Sequence, residues 1–297
     1  MADHYTAGLT LMDESFDLLE TRNYELAVFL ADESFTFCIH DFKRNKFIGL
    51  QQFNKSVVKQ FNASPVEKIS YADFLGDVCE DLPWLKGTFR LVKIAYDGRK
   101  STLVPAPVFD PEEKDNYLKF NFQPGTGEQV LYDHLLPLDS FLPFAIPDAL
   151  TNSACIHFPD IRIVHVASVL IESIWINYKN RIDVPHVFLH LREKLFDIMI
   201  FDGRQMSYFN TFPFQNAEDV TYYLIFVMEQ LGFNPEKVPL VLLGNFEKGS
   251  DLDELLFRYV RHVEFGRRND AYKYSYVLNQ LPPYAQYPLF NFFSCGL

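Results

Sequence analysis

The sequence predicts an α/β protein built as two halves, and three observations lead to that fold class. Two stretches share one order of residue types: an apolar triplet, a charged bend, a second apolar run and a final Asp. They are VFLADESFTFCIHD, which begins at Val28, and VFLHLREKLFDIMIFD, which begins at Val187. Each stretch covers two of three consecutive segments rich in β-branched and aromatic residues, the signal of antiparallel strands. After the second group, apolar residues recur at helical spacing and then form a continuous run. Each half is therefore expected to hold a mixed sheet that opens with a three-strand meander and is flanked by helices.

In the first half, three clear strand signals precede a less regular region. The strands are expected at Tyr24–Leu30, Ser34–Asp41 and Lys46–Phe53, with a polar turn between the last two. The elements predicted after them are a helix within 65–85, a strand over 89–96, a loop over 101–116 that ends in a short helix, an extended segment over 128–138, a short helix over 146–158, a strand over 162–166 and a helix over 167–179.

In the second half, the signals are sharper. Strands are expected over 186–191, 194–202 and 205–214. Asn216 is expected to cap a helix that Gly232 ends, because apolar residues recur between them at helical spacing. The run Val238–Gly244 has no alternation, which is typical of a strand covered on both faces, and a second helix is predicted to begin at Ser250.

These elements divide the chain into an N-terminal segment over 1–23, a first half over 24–181 and a second half over 182–297. The second half ends in an aromatic segment, PLFNFFSC, which is expected to pack on the body of the protein as a last strand. A docking tail is the alternative. The segment has no Lys or Arg, which an anionic membrane surface would attract, so a membrane-binding tail is disfavoured.

Composition and charge limit the classes of function. The 297 residues are 48% hydrophobic and 16% aromatic, which is ample for large cores and argues against disorder. A net charge of −12 disfavours nucleic acid as the main ligand. The four Cys lie far apart, as expected of a protein of a reducing cytoplasm without a zinc ribbon. No apolar run approaches the ~18 residues of a transmembrane segment. A cytoplasmic protein with a protein partner is the expectation.

The plan of the two halves resembles the actin-like ATPase architecture, which belongs to the ribonuclease H-like group. The resemblance is closest over Val187–Val263, where the order of elements is similar to that in the second half of pilus-assembly and cell-division actin-like proteins. The whole chain resembles more closely still a family of bacterial proteins known as a domain of unknown function. This resemblance implies a fold and no activity.

Working members of the actin-like group bind ATP between their halves, and three of their motifs can be compared with this chain. The first hairpin would carry Asp-x-Gly-Thr, but Phe29 and Ala31 stand at the Asp and Gly positions. In the second hairpin, Leu189 and Leu191 replace the Asp and the first Gly and would crowd the phosphates. Half of a Gly-Gly pair remains as Gly244-Asn245. The resemblance therefore implies a degenerate nucleotide site.

Eight residues at the two hairpin bends and at one strand end are the candidates for a ligand cleft between the halves. They are Asp32, Glu33, Ser34, Arg192, Glu193, Lys194, Gly244 and Asn245. Arg192 and Lys194 have the chemistry to bind a phosphate or a carboxylate, although solvated hairpin tips are the favoured interpretation. No catalytic residue and no metal site are predicted, and ATP with Mg²⁺ is disfavoured as a cofactor.

The favoured hypothesis is a non-catalytic actin-like binding or scaffold protein with a degenerate nucleotide site. The alternative is a divergent ATP-binding protein or phosphotransferase that uses the charged bends in the interdomain cleft. A small-molecule binding module with an apolar cleft stays open because aromatic residues are plentiful. A nuclease would need converging carboxylates, for which Asp197 and Asp202 are further candidates, but the sequence offers no basic track for the substrate.

Overall fold

The computed structural model describes residues 5–55, 70–123, 125–159 and 161–297. In these ranges the β-strands are β1 (Tyr5–Met12), β2 (Tyr24–Ala31), β3 (Ser34–Asp41), β4 (Lys46–Lys55), β5 (Leu91–Asp97), β6 (Val104–Pro105), β7 (Glu128–Leu135), β8 (Ser140–Pro147), β9 (Ile163–His165), β10 (His186–Leu191), β11 (Leu195–Asp202), β12 (Gln205–Pro213), β13 (Leu240–Gly244), β14 (Val263–Phe265) and β15 (Lys273–Tyr274). The α-helices are α1 (Tyr71–Asp81), α2 (Lys114–Lys119), α3 (Asp148–His157), α4 (Val166–Tyr178), α5 (Ala217–Gln230), α6 (Asp251–Tyr259) and α7 (Tyr287–Asn291). The first part of the helix expected within 65–85 lies outside the described residues.

The largest sheet has the strand order β1-β4-β3-β2-β5-β9, with β15 also paired to β4. Strands β1, β4, β3 and β2 run antiparallel to their neighbours, whereas β2, β5 and β9 are parallel. Alternate residues of β2 enter two different cores: Leu26 and Val28 belong to one, and Ala27 and Phe29 to the other. Because both faces are covered, this strand has a continuous apolar run.

The second sheet has the order β12-β11-β10-β13-β14, in which β12, β11 and β10 are antiparallel and β10, β13 and β14 are parallel. Val187 and Leu189 on β10 pack into a core beneath α5 and α6. Phe188, on the opposite face of β10, joins the core of the first sheet and contacts Tyr178 of α4 edge to face, with ring centroids 4.9 Å apart. The two sheets are therefore joined through a shared core.

Helix α4 lies within that shared core. Its residues from Val166 to Ile174 are all buried, including Glu172. The Glu172 carboxylate accepts a hydrogen bond from the backbone N–H of Gly296 at 2.9 Å, which fixes the C-terminal residues to this helix. Among the residues that the structure describes, no helix is long and apolar enough to cross a membrane.

Several elements differ from the sequence prediction, which also lacked the short strands β6, β14 and β15. The N-terminal segment contains β1, which adds an edge strand to the first sheet. A third sheet, β6-β8-β7, contains the unpredicted β8, in which Pro143 and Pro147 obscure the strand signal. The last strand predicted over Pro288–Cys295 is wrong, because α7 and a 3-10 helix over Phe292–Ser294 occupy this region. Pro288 is tolerated in the first turn of α7, where its missing N–H would have no intrahelical partner.

Candidate functional site

A cleft of about 210 Å³ lies where the first and second sheets meet. Three parts of the chain form most of its wall: the β2–β3 bend, the β10–β11 bend and the end of β13. All eight residues predicted from the sequence line it, namely Asp32, Glu33, Ser34, Arg192, Glu193, Lys194, Gly244 and Asn245. The remaining wall includes Asp97, His190 and two residues that precede or begin α7, Gln286 and Pro288.

At the first bend, Asp32 is held by two tyrosines. The Tyr96 hydroxyl donates to Asp32 Oδ1 at 3.2 Å. The Tyr71 hydroxyl lies at the same distance from Asp32 Oδ1 and at 2.5 Å from the Ala31 carbonyl, so its one proton is shared between these two acceptors. Burial raises the pKa of both tyrosines, and the nearby charge of Asp32 raises it further, so both phenols stay protonated and remain donors. Glu33, the next residue, is exposed. The bend therefore presents one anchored carboxylate and one solvated carboxylate to the cleft.

At the second bend, Arg192 is buried, and its side chain is 6% exposed. The guanidinium donates to Asp97 at the end of β5, to the Gly98 carbonyl at 3.2 Å and to Asp197 Oδ1 at 2.7 Å. The interpretation of Arg192 as a solvated hairpin tip is therefore wrong. Because Asp97 belongs to the first sheet and Asp197 to the second, Arg192 links the two sheets through charge-assisted hydrogen bonds.

Glu193 and Lys194 do behave as solvated tips, since both are exposed. Among the described residues that line the cleft, Lys194 is the exposed cation, because Arg192 is buried between two carboxylates. The Coulomb attraction of an exposed ammonium for an anion is modest in water.

Asp197 is the centre of a buried polar network. It has no exposed surface, accepts from the Thr211 hydroxyl at 2.7 Å, and pairs with His190 Nδ1 at 3.0 Å. Burial alone would raise the pKa of Asp197, but the charge of Arg192 and the hydrogen bonds of His190 and Thr211 hold it well below its usual range. Conversely, Asp197 and Asp97 raise the pKa of Arg192 despite its burial. Asp197 therefore has three side-chain partners, whereas the buried Nε of Arg192 has no hydrogen-bond partner among the described residues.

Gly244 faces the second bend rather than open space. Its φ is +94°, and a Cβ at this position would lie 2.2 Å from the Leu191 carbonyl oxygen. The Gly244 N–H donates to the Tyr284 carbonyl and the Asn245 N–H donates to the Leu191 carbonyl, each at 2.8 Å. Close packing against β10 explains the glycine, and both backbone amides of the pair already have acceptors within the protein.

The backbone of the two bends differs from that of a phosphate cradle, in which successive N–H groups commonly involve a residue with positive φ. The positive-φ residues of the described chain include neither Asp32 and Glu33 nor any of 192–194. The Arg192 N–H also donates to the Leu195 carbonyl at 2.8 Å, which closes the second bend. Neither bend has the αR-αL form of an anion-binding cradle.

The apolar residues at the motif positions lie in different surroundings. Phe29 lines the cleft and packs against Phe292 with ring centroids 6.0 Å apart. Leu191 also lines the cleft. Leu189 does not line the cleft. Both leucines face the core beneath α5 and α6, because residues two apart on a strand share one face, but Leu191 is the last residue of β10 and lies next to the bend. The expectation that Leu189 crowds the cleft is therefore wrong.

Asp97 lines the cleft but is not among the residues predicted from the sequence. The order of the strands could have indicated it. Asp97 ends a strand that runs parallel to β2, and parallel strands bring their carboxyl ends to the same edge of a sheet. A polar residue directly after β5 was thus a candidate for the cleft. In the part of the chain that the structure describes, no group of three or more His, Cys, Asp or Glu is arranged to hold a metal ion.

Two solved structures define the class of fold. A Bacteroides thetaiotaomicron protein described as having an actin-like ATPase fold and unknown function is 20% identical, with a TM-score of 0.77 over 94% of this chain and 99% of that one. A chain of the PilM-PilN type IV pilus biogenesis complex matches with a TM-score of 0.56 and 12% identity, over 91% of this chain and 97% of that one. The protein therefore has a mixed α/β fold of the actin-like ATPase class.

The chain belongs to the family described as Protein of unknown function (DUF3822), which matches residues 13–263. Among curated proteins, no sequence matches it. The resemblance drawn from the sequence, to an actin-like family of unknown function, is confirmed.

Proposed function

We propose that this protein is a non-catalytic binding or scaffold protein whose actin-like cleft is degenerate and does not hold a nucleotide. The observation that carries the proposal is the burial of Arg192 between Asp97 and Asp197. A phosphate entering the cleft would compete with two carboxylates for one guanidinium and would meet their negative charge. Because transfer of a phosphoryl group depends on neutralising the phosphate charge, this arrangement opposes it.

The other parts of the cleft do not fit ATP with Mg²⁺ either. The bends lack the αR-αL cradle, and the amides of Gly244 and Asn245 are engaged within the protein. The cavity of about 210 Å³ lies below the roughly 300–1,000 Å³ typical of ligand pockets. Asp32 lines the cleft, but its Oδ1 already accepts from the Tyr96 hydroxyl.

We infer further that the fold is a duplication, with a first half over 24–181 and a second half that begins at 182. Each large sheet contains three antiparallel strands, β4-β3-β2 or β12-β11-β10, followed by two parallel ones, and the first sheet has β1 and β15 in addition. The bends of β2–β3 and β10–β11 then occupy equivalent places on the cleft. The chain after β14 returns to the first sheet through β15. This return suggests that the C-terminal residues clamp the two halves together.

The scaffold role fits the acidic surface and the fold class. A net charge of −12 disfavours nucleic acid as the ligand. The neighbour in the PilM-PilN complex carries this fold within a protein assembly. We propose a cytoplasmic role of the same kind for this chain, with a protein as its partner.

One observation favours the alternative, a divergent ATP-binding protein or phosphotransferase. All eight predicted residues meet in one cleft, where Asp32 and the exposed Lys194 both line the wall. In that hypothesis, Lys194 binds the phosphates and movement of the bends widens the cleft.

Calorimetric titration with Mg-ATP separates the two hypotheses. Up to about 1 mM nucleotide, the upper end of ordinary KM values, we expect no saturable heat from the wild-type protein. Saturable binding that disappears in Lys194→Met and survives in Lys248→Met would support the alternative, because Lys248 does not line the cleft.

A further inference from the structure

Helices α5 and α6 form an apolar groove on the outer side of the second sheet, away from the cleft. Its cavity measures about 340 Å³. Tyr222, Ile225 and Phe226 of α5 line one wall, and Leu255 and Tyr259 of α6 line the other. These five residues define what we call the α5–α6 groove.

The aromatic residues of the α5–α6 groove are not needed by the core beneath it. The inner side of α5 already supplies Val220, Leu224 and Val227 to that core. On the outer side, Tyr222 and Phe226 are 64% and 46% exposed, and their rings stack with centroids 6.1 Å apart. Clustered exposed aromatics of this kind are typical of protein interaction surfaces.

The charges on the two helices of the groove are mostly acidic. Helices α5 and α6 together carry six acidic residues and one Arg, a net charge of −5. Glu218 and Glu229, near the two ends of α5, lie directly on the groove wall. An apolar floor between acidic ends is complementary to a partner with apolar anchors flanked by Lys or Arg.

We propose that the α5–α6 groove binds an amphipathic helix of a partner protein, with apolar anchors spaced i, i+4 and basic residues on its flanks. A helix laid between two helices is a recurring mode of peptide recognition. A second copy of this chain is disfavoured, because it would bring together two acidic helix pairs, each with a net charge of −5. An anionic membrane surface is repelled for the same reason. The proposal deepens the binding role proposed above and depends on it.

A labelled synthetic helix of about 18 residues, five turns of Leu and Lys with the Leu on one face, tests the groove. We expect the wild-type protein to bind this peptide in a fluorescence anisotropy titration, and amide hydrogen exchange to slow in α5 and α6. The Phe226→Ser variant should bind about tenfold more weakly, as expected for loss of an anchor residue. The Phe120→Ser variant is the matched control, because Phe120 is 85% exposed and lies outside the groove.

Charge is tested with a second peptide in which Glu replaces every Lys. Wild type should prefer the Lys peptide, and the double variant Glu218→Lys, Glu229→Lys should reverse that preference. Equal binding by Phe226→Ser and Phe120→Ser, protection outside α5 and α6, or failure of the Lys peptide to bind would each overturn the proposal. A dimer of the chain alone that dissociates in Phe226→Ser would also overturn it and assign the groove to a second copy.

All the substituted positions are exposed, so the variants are expected to fold like the wild type. Equal thermal unfolding midpoints of variant and wild type will exclude misfolding as the cause of a difference in peptide binding. The Mg-ATP titration does not involve the groove. Failure of the peptide test therefore leaves the degenerate cleft unaffected, and nucleotide binding would leave the groove unaffected.

Discussion

At the residue scale, the fate of Arg192 shows what a local pattern leaves out. Three consecutive charged residues between two strands, Arg192 to Lys194, are typical of a solvated bend, and Glu193 and Lys194 follow that pattern. Arg192 does not, because Asp97, far away in the sequence, meets it from the other sheet. Because the two hairpins resemble each other, the sequence could predict which of their residues line the cleft. It could not predict that Arg192 pairs with Asp97, because that partner comes from another sheet and is distant in the sequence.

Replacing Arg192 with Met should destabilise the fold by roughly 3–5 kcal/mol, because it leaves the buried Asp197 without its charged partner. Urea unfolding of the purified variant measures this change. Lys194→Met is the control and should change the free energy of unfolding by no more than about 0.5 kcal/mol, since Lys194 is exposed. Equal effects of the two substitutions would contradict the ion-pair geometry.

Gly244 provides a second test at the same scale. In Gly244→Ala the new Cβ would meet the Leu191 carbonyl oxygen, and we expect a loss of at least about 2 kcal/mol from backbone strain and displacement of β10. Gly249 also has a positive φ, of +79°, but a Cβ there would meet open space. Gly249→Ala should therefore cost about 1 kcal/mol, the strain alone. If both variants lose the same stability in urea unfolding, close packing at Gly244 is refuted.

At the element scale, the strands β2–β4 and β10–β12 and the helices α5 and α6 could be predicted because their side-chain patterns and ends are recognisable, and β13 because its continuous apolar run ends at a glycine. Asn216 caps α5 with a hydrogen bond from the Asp219 N–H, as expected. The C-terminal helix could not be distinguished from a strand, because a short apolar run buried on all sides has neither period. The edge strand β1 was missed since most of its side chains are exposed and give no apolar alternation.

Helix α4 begins with an unusual cap that should make the protein sensitive to acid. His165 is fully buried, its Nδ1 accepts from the Ala167 N–H at 3.1 Å, and its Nε2 pairs with the Gly98 carbonyl at 3.2 Å. Burial and the charge of Arg192 lower the pKa of His165 to about 3. In the unfolded chain the pKa of His165 is ordinary, about 6.5, so between pH 6.5 and 3 the unfolded state binds a proton at His165 that the folded state does not bind.

The contribution of His165 to stability is therefore complete above pH 6.5 and declines as the pH falls towards 3. Between pH 7 and pH 5 the decline is about 2 kcal/mol. His165→Asn keeps a capping acceptor but does not titrate. We expect the stability difference between wild type and this variant to shrink by about that amount at pH 5 in urea unfolding. A difference that is the same at both pH values would show that His165 is accessible to protons in the fold.

At the scale of the whole molecule, the C-terminal residues pack against one face of the first sheet. Phe290 is 2% exposed and contacts Phe47 and Tyr274, with ring centroids at 5.2 and 5.5 Å. Lys93 donates to the Phe292 and Cys295 carbonyls at 3.2 and 2.8 Å. The segment is thus a part of the core that covers the sheet next to the cleft.

Phe290→Ala should destabilise the protein by roughly 3–5 kcal/mol, the usual cost of removing a buried ring. A docking tail in solution would instead give a change within about 0.5 kcal/mol. Urea unfolding, with Phe120→Ala as the exposed control, distinguishes the two.

The central claim is that the cleft between the two sheets does not bind a nucleotide, and thermal unfolding with and without millimolar Mg-ATP tests it most directly. A ligand of the folded state at about 100 times its Kd stabilises by about 2.7 kcal/mol, which shifts the midpoint by a few degrees in a chain of this size. We predict no shift beyond that given by Mg²⁺ with an equal concentration of inorganic triphosphate. A clear, saturable shift with Mg-ATP alone would contradict the account.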